Sequence, residues 1–258
     1  MDSTSASEDA LRHDRSVVYA SLGLVAAAAW AYTLALAWMM PEMTTASLPG
    51  WTVGHALATY LMWTTMMAAM MIPASAPMIG LVATIARNRR ARGAPYAPAA
   101  VFAAGYLAVW SVFGAFATAA QWALEKLGVL DATTMAGADP AFAGVVLLGA
   151  GLYQATPLKA RCLAQCRSPL GFLTMNWREG NPSALRLGAL HGVYCVGCCW
   201  ALMTLLFAAG VMNVLGIALL TALVLAERLL PWGERLAHTV GIALGLAGLG
   251  AIAYGISH

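Results

Sequence analysis

Hydrophobic residues in this chain form long unbroken runs rather than the narrow stripes of a soluble domain. A helix needs about 20 apolar residues to cross the hydrocarbon core of a membrane. The runs that meet this length cover residues 17–40, 55–86, 97–123, 141–158, 184–208, 212–230 and 236–256. The pattern predicts an all-α fold, a polytopic transmembrane helical bundle of about seven spans, with residues 17–258 forming a single domain.

Polar residues dominate only the first segment, residues 1–16, which mixes both charges and contains no apolar run. This segment lacks the basic start and the small-residue cleavage site of a signal peptide. We therefore expect a disordered cytoplasmic tail, followed by a first span that is retained as an uncleaved helix.

The composition agrees with a membrane protein, since 61% of residues are hydrophobic and 10% are charged. A soluble domain carries about 25% charged residues, so these charges are too few to coat a soluble surface. The chain contains no Walker A loop, nucleotide fingerprint, CxxCH haem site or HExxH motif. These absences argue against ATP-driven pumping, and no nucleic-acid partner is expected. Whether the protein is an enzyme stays open, with a non-catalytic role favoured.

Basic residues are concentrated on one side of the predicted membrane. The tail and the second, fourth and sixth loops carry every Lys and Arg except Lys126. The positive-inside rule assigns the basic loops to the cytoplasm. The distribution predicts a multi-pass protein of the bacterial inner membrane, with a cytoplasmic amino terminus and a periplasmic carboxyl terminus.

The stretch HGVYCVGCCW, residues 191–200, places a histidine and three cysteines inside a strongly apolar segment. On a helix, His191, Cys195 and either Cys198 or Cys199 share one face. Thiolate and imidazole form a soft ligand set that suits Cu(I) or Zn and not Mg or Ca. A single membrane cysteine is most simply a small packing residue, but polar groups at this depth are costly without a partner. The clustering therefore favours a metal site near mid-membrane.

A methionine-rich stretch, MWTTMMAAMMIP, occupies residues 62–73 in the second predicted span. Met62, Met66 and Met70 form one helical stripe, and Met67 and Met71 form an adjacent one. Thioethers are neutral, soft ligands that select Cu(I), although such a stripe is more often flexible packing. The outer ends of the first two spans add a further group, which consists of His55, Met39, Met40 and Met43.

The methionine and cysteine stretches are expected at the same depth, because both lie midway along their spans. We expect the His191, Cys195 and Cys199 face to pack against the methionine face. Small residues allow close helix approach, and the fifth span supplies Gly188, Gly192 and Gly197 for this contact.

A second cysteine pair, Cys162 and Cys166, lies four residues apart between Pro157 and Pro169. The spacing puts both sulfurs on one side of a short helix, which we expect at the cytoplasmic face. The alternative is a basic interfacial helix that binds lipid headgroups. Its basic residues are Lys159, Arg161 and Arg167.

Two neighbouring charges, Glu227 and Arg228, lie at the inner end of the sixth predicted span. Their simplest interpretation is a pair of charges that snorkel to the interface or that bind each other. This interpretation assigns them no part in the metal site.

The chain resembles a family of uncharacterised bacterial membrane proteins described as predicted metal-binding integral membrane proteins. The resemblance rests on WTTMMAAMMIP (63–73), GYLAVW (105–110), YQATPLKARCLAQCRSP (153–169) and GVYCVGCCWALM (192–203). It covers most of the spans and implies metal binding. It fixes neither the metal nor the direction of movement.

The first functional hypothesis is a Cu(I)-handling protein, either a transporter or a carrier that loads a membrane cuproenzyme, with Zn as the alternative metal. The outer histidine and methionines collect the ion, and the mid-membrane cysteine and methionine site holds it. Cys162 and Cys166 exchange it at the inner face. Its partners would be the lipid bilayer, the metal ion, and a copper chaperone or a membrane cuproenzyme.

The second hypothesis is an enzyme, a quinone-linked thiol–disulfide oxidoreductase. Adjacent cysteine pairs relay electrons through mixed disulfides. The predicted orientation argues against this activity, because it places Cys162 and Cys166 in the reducing cytoplasm, where disulfides are rare.

Overall fold

The structure is a computed structural model that describes residues 3–43, 51–131, 135–137 and 139–257, without the side chains of residues 3–15 and 40–43. Within these ranges the chain forms nine α-helices and no β-strand, apart from an isolated bridge between Leu130 and Gly137. The predicted all-α fold is confirmed. The helices are α1 (Ser3–Met43), α2 (Val53–Ala91), α3 (Ala99–Lys126), α4 (Pro140–Gln154), α5 (Pro157–Arg167), α6 (Pro169–Asn176), α7 (Asn181–Ala209), α8 (Val214–Leu229) and α9 (Gly233–Ser257).

Five helices in the described part of the chain are long and apolar enough to cross a membrane, namely α1, α2, α3, α7 and α9. The pair α4 and α5 would make a sixth span if it is counted as one bent element. Helix α8 has 16 residues, which falls short of the usual spanning length of about 20. The exact count of seven spans stays a prediction.

The predicted fourth span, 141–158, does not continue as one straight helix. Helix α4 ends at Gln154, and α5 leaves it at an angle of 65°. Pro157 explains the break, because proline disfavours helical geometry at the preceding residue and donates no backbone hydrogen bond. Thr156 instead caps α5 by accepting a hydrogen bond from the Lys159 amide.

Helix α1 begins at Ser3, so its backbone includes most of the segment that the sequence predicts as a disordered tail. Its apolar part, Ser16–Met39, matches the first predicted span. The side of the membrane on which the first residues lie stays a prediction.

Helix α7 approaches α3 and α5 most closely, at positions occupied by glycine. A side chain at Gly188 would collide with the Phe102 backbone of α3, and one at Gly192 would lie 2.9 Å from Val109 Cβ. A methyl group at Gly197 would lie 2.7 Å from Cys162 Sγ of α5. The predicted use of these glycines against the second span is therefore wrong. The small residues serve contacts with α3 and α5 instead.

Helices α7 and α8 form the tight hairpin that their short separation predicts. Gly210 ends α7 with a φ of +95°, and Asn213 caps α8 by accepting a hydrogen bond from the Gly216 amide. The two helices run antiparallel, and Cys195 lies as far before the end of α7 as Arg228 lies after the start of α8. The hairpin therefore brings these two residues to the same level.

Candidate metal centre

All five cysteines of the chain lie in one region of the core, and all are free thiols. Cys195, Cys198 and Cys199 of α7 are at most 2% exposed. On α5, Cys162 is buried and Cys166 is half-buried. These five residues were expected in two separate places along an ion path, and the structure brings them together.

The contact between α5 and α7 is made by the cysteines themselves. The side chains of Cys166 and Cys198 lie close enough to interact. The Cys162 sulfur packs over Gly197, and from the adjoining helix α4 the Tyr153 hydroxyl donates a hydrogen bond to the Gly197 carbonyl. The predicted short helix therefore lies against the cysteines of α7, and its place at the cytoplasmic face stays a prediction.

The α7 thiols use their own helix as a hydrogen-bond partner. Cys198 Sγ and Cys199 Sγ donate to the Cys195 carbonyl at 3.1 and 3.0 Å. Cys195 Sγ lies 3.0 Å from the Tyr106 hydroxyl of α3. Unlike the sulfurs of Cys198 and Cys199, the Cys195 sulfur makes its contacts with side chains of neighbouring helices rather than with the α7 backbone.

The guanidinium of Arg228 enters this thiol cluster from α8. Its Nη2 donates to Cys195 Sγ at 2.7 Å and to Cys198 Sγ at 3.1 Å, and the residue is only 6% exposed. Its Nε and Nη1 have no hydrogen-bond partner in the part of the chain that the structure describes. Arginine is always charged in proteins, so a full positive charge lies beside two sulfurs in the core.

Glu227 does not bind Arg228, and the interpretation of these neighbours as an ion pair or as snorkelling charges is wrong. The Glu227 carboxylate accepts hydrogen bonds from Lys159 Nζ at 2.6 Å and from Gln154 Nε2 at 2.8 Å. Lys159 and Glu227 are 1% and 2% exposed. Successive helical residues point about 100° apart, so Glu227 faces α4 and α5 while Arg228 faces α7.

The burial of Lys159 also corrects the picture of α5 as a helix whose basic residues bind lipid headgroups. Arg167 likewise turns inward, donating to the Glu227 carbonyl and to the Pro231 carbonyl at 2.9 Å each. Arg161 is exposed. Two of the three basic side chains therefore fasten α5 to the end of α8.

The predicted methionine ligands are buried in the same hydrophobic cluster as the cysteines. They are Met66, Met67, Met70 and Met71, each 0% exposed. Helix α3 lies between the two groups at one point, where the Tyr106 hydroxyl donates to the Met71 carbonyl at 3.1 Å and contacts Cys195 Sγ. The structure thus brings methionines and cysteines into one core, while thioether ligation stays a prediction.

His191 lies one helical turn before Cys195 and is 1% exposed. Its ring is surrounded by Phe102, Tyr106 and Phe172, with centroids 5.9, 5.5 and 5.4 Å away. Neither ring nitrogen has a hydrogen-bond partner among the described residues. Buried polar atoms without partners are rare in folded proteins, so this imidazole has donor and acceptor capacity that the protein leaves unused.

The outer group is not assembled around the cluster. His55 is half-buried in the first turn of α2 and stacks on Trp51 at 4.6 Å. Met39 is 55% exposed, and the side chains of Met40 and Met43 lie outside the described residues. A role for these residues in collecting an ion stays a prediction.

The thiol cluster is not a ready-made site for a metal with three or four ligands. Over the described ranges, no group of three or more His, Cys, Asp or Glu side chains is arranged to hold an ion. A structural zinc site uses four such ligands in a tetrahedron. The arrangement around Arg228 instead directs two sulfurs, those of Cys195 and Cys198, toward one point.

The sequence matches the PpoB2 family, described as copper chaperone, over residues 60–251. The chain belongs to this family. No curated protein and no solved structure matches it. The family description agrees with the metal binding that the motifs imply, and it names copper.

The part of the chain that matches the PpoB2 family includes every residue of the thiol cluster, the methionines of α2 and the Lys159–Glu227 pair. The outer residues, with His55 as the last of them, precede the matched segment. The family match is therefore centred on the buried cluster rather than on the outer ends of the first two helices.

Proposed function

We propose that this protein is a membrane-integral copper chaperone that holds Cu(I) at the thiol cluster and delivers it to a membrane cuproenzyme. The gathering of all five cysteines in one region of the core, beside four buried methionines, carries this proposal. The copper description of the family supports it. The bilayer, the ion and the receiving cuproenzyme are its partners.

The ligand chemistry supports Cu(I) over zinc. Thiolate, thioether and imidazole groups surround the cluster, and soft ligands of this kind select Cu(I). The nearest carboxylate in sequence, Glu227, is engaged by Lys159 and Gln154. Cys195 and Cys198 are the primary ligands, and His191 and the methionines of α2 complete the soft environment.

The membrane topology that we propose keeps the seven spans and the cytoplasmic amino terminus. Five spanning helices, with large exposed apolar side chains such as Leu24, Phe116 and Ile256, support insertion into a bilayer. The bent α4–α5 pair and the short α8 supply the other two spans. The 16-residue length of α8 would place one of its ends inside the membrane rather than at its surface.

The position of Cys166 supports a carrier rather than a fixed storage site. This residue is the most exposed of the five cysteines, and its side chain lies beside buried Cys198. A half-buried cysteine next to the cluster would provide a step for ligand exchange. The alternative function, a thiol–disulfide oxidoreductase, receives no support from the family match.

Copper binding to purified protein tests the proposal. Protein in detergent with a thiol reductant is loaded with Cu(I), desalted, and analysed for copper per chain. We expect bound copper in the wild type and a loss to background in the Cys195→Ser, Cys198→Ser, Cys199→Ser triple variant. Size-exclusion chromatography and a thermal melt serve as folding controls. Undiminished copper in a folded triple variant would contradict the proposal.

A further inference from the structure

Arg228 carries an inference that rests on the proposed function and specifies which ions the cluster accepts. We propose that the Arg228 guanidinium is a built-in counter-charge. It makes the cluster neutral when Cys195 and Cys198 hold a monovalent soft cation, and leaves the cluster charged when they hold a divalent one. Arg228 is thus a specificity-determining residue of the site.

The guanidinium has no carboxylate partner among the described residues. The carboxylate of the adjacent residue, Glu227, is taken by Lys159 and Gln154. The titratable groups around Arg228 are instead thiols, the Tyr106 phenol and the His191 imidazole. Burying an unpaired charge is strongly unfavourable, and the sulfurs of Cys195 and Cys198, which accept hydrogen bonds from the guanidinium, are placed to balance it as thiolates.

The charge count then decides between ions. Cysteine binds metals as the thiolate, so two thiolates, one guanidinium and one monovalent cation sum to zero. A divalent ion in the same place leaves one positive charge in a core where Cys195 is 0% exposed. A third thiolate would restore balance, but among the sulfurs of the described residues the guanidinium donates only to those of Cys195 and Cys198.

The end of α8 holds the guanidinium in this position. Glu227 ties the last turn of α8 to α5 and α4 through Lys159 and Gln154, and Arg167 binds the Glu227 carbonyl. These contacts fix the last turn of α8, so that the Arg228 side chain stays directed at α7. Its unpartnered Nε and Nη1 remain available to the sulfurs when an ion spreads them.

Competition between a monovalent and a divalent soft ion tests the inference. Wild-type protein in detergent is mixed with equimolar Ag(I) and Cd(II), neither of which changes oxidation state, and the retained metals are measured. We expect silver to predominate. In Arg228→Met the silver-to-cadmium ratio should fall by about tenfold or more, as when one partner of a buried charge pair is removed. Arg228→Lys, which keeps the charge, should retain the wild-type preference.

Arg161→Met is the matched control, because it removes one positive charge from an exposed position on α5. Its ratio should equal that of the wild type. Arg228→Met is expected to fold, because the thiols that face Arg228 can stay protonated and neutral in its absence, so that no unpaired charge is left buried. The melting temperature checks this.

The outcomes separate the inference from the proposed function. An unchanged ratio in folded Arg228→Met, with silver bound to the wild type, overturns the counter-charge role and leaves the copper site intact. Equal retention of Cd(II) and Ag(I) by the wild type also overturns it, without any variant. A wild type that binds neither Cu(I) nor Ag(I) removes the proposed function itself.

Discussion

Two buried cations, Lys159 of α5 and Arg228 of α8, meet the last turn of α8, and they have different kinds of partner. Lys159 is matched by the Glu227 carboxylate at 2.6 Å, with Gln154 completing the contact. Arg228 faces the sulfurs of Cys195 and Cys198 and leaves two donors unused. A buried charge with a full partner stabilises an arrangement of helices, whereas one that faces ligand atoms leaves the site able to accept an ion.

The largest expected effect comes from breaking the Lys159–Glu227 ion pair. Glu227→Gln leaves Lys159 buried without a counter-charge, and removing one partner of a buried ion pair costs about 3–5 kcal/mol. We expect a clear fall in the melting temperature of the protein in detergent. Glu234→Gln, at an exposed carboxylate in the first turn of α9, is the control and should melt like the wild type.

The double variant Lys159→Met, Glu227→Met sharpens this result, because apolar replacement of a whole buried pair is often neutral. It should recover most of the stability lost in Glu227→Gln. Equal melting temperatures for Glu227→Gln and the wild type would show that the pair contributes nothing to the fold.

The next largest effect concerns the contact between α5 and α7, which encloses the cysteines that face Arg228. In Gly197→Ala the new methyl group would lie 2.7 Å from Cys162 Sγ. Overpacking of this kind costs about 1–3 kcal/mol, and relief requires α5 to move away from α7. We expect a lower melting temperature and faster alkylation of the cysteines by a small maleimide.

Gly245→Ala provides the matched comparison, because a methyl group there meets nothing within 4 Å. Replacing a helical glycine with alanine in open space stabilises by about 0.5–1 kcal/mol. Identical behaviour of the two alanine variants would mean that the close approach of α5 and α7 does not protect the thiols.

The smallest effect distinguishes the two cysteines of α5. Cys166 lies beside Cys198, while Cys162 packs on the α7 backbone. Cys166→Ser should slow copper transfer to a thiol chelator by about tenfold, the lower end of the effect of losing a residue that supports a metal ligand. Cys162→Ser should retain copper and transfer it faster than Cys166→Ser. Stopped-flow absorbance of the chelator measures both rates.

The helical fold and the membrane-spanning lengths follow from the sequence because they depend on local runs of apolar residues. The sequence predicts a separate short helix between Pro157 and Pro169, but it places the end of the preceding span at residue 158 instead of Gln154, because the apolar pattern of 141–158 outweighs one proline in a hydropathy reading. The proline and the capping Thr156 were the signal that could have revealed it. The partner helices of Gly188 and Gly197 were not predictable, since small residues show that two helices meet and not which ones.

The cysteines, His191 and the methionines of α2 were found from residue type and spacing, while Arg228 and Tyr106 were missed. Their roles depend on which helix faces α7, and that information is tertiary. The adjacency of Glu227 and Arg228 in sequence suggested that they bind each other, but consecutive residues on a helix face different directions. The short α7–α8 hairpin could have predicted the contact between Arg228 and Cys195. In two antiparallel helices, residues at equal distances from the turn lie at the same level, and these two residues do so.

The enclosure of the α7 thiols has a kinetic consequence for any cargo they hold. With Cys195, Cys198 and Cys199 at most 2% exposed, a soluble competitor would reach a bound ion only by way of the half-buried Cys166 or through an opening between α5 and α7. Under the proposed function, the lifetime of a loaded state would be limited by how often α5 parts from α7, so it would stop shortening at high competitor concentration. A partner that opens this contact on docking would then control delivery.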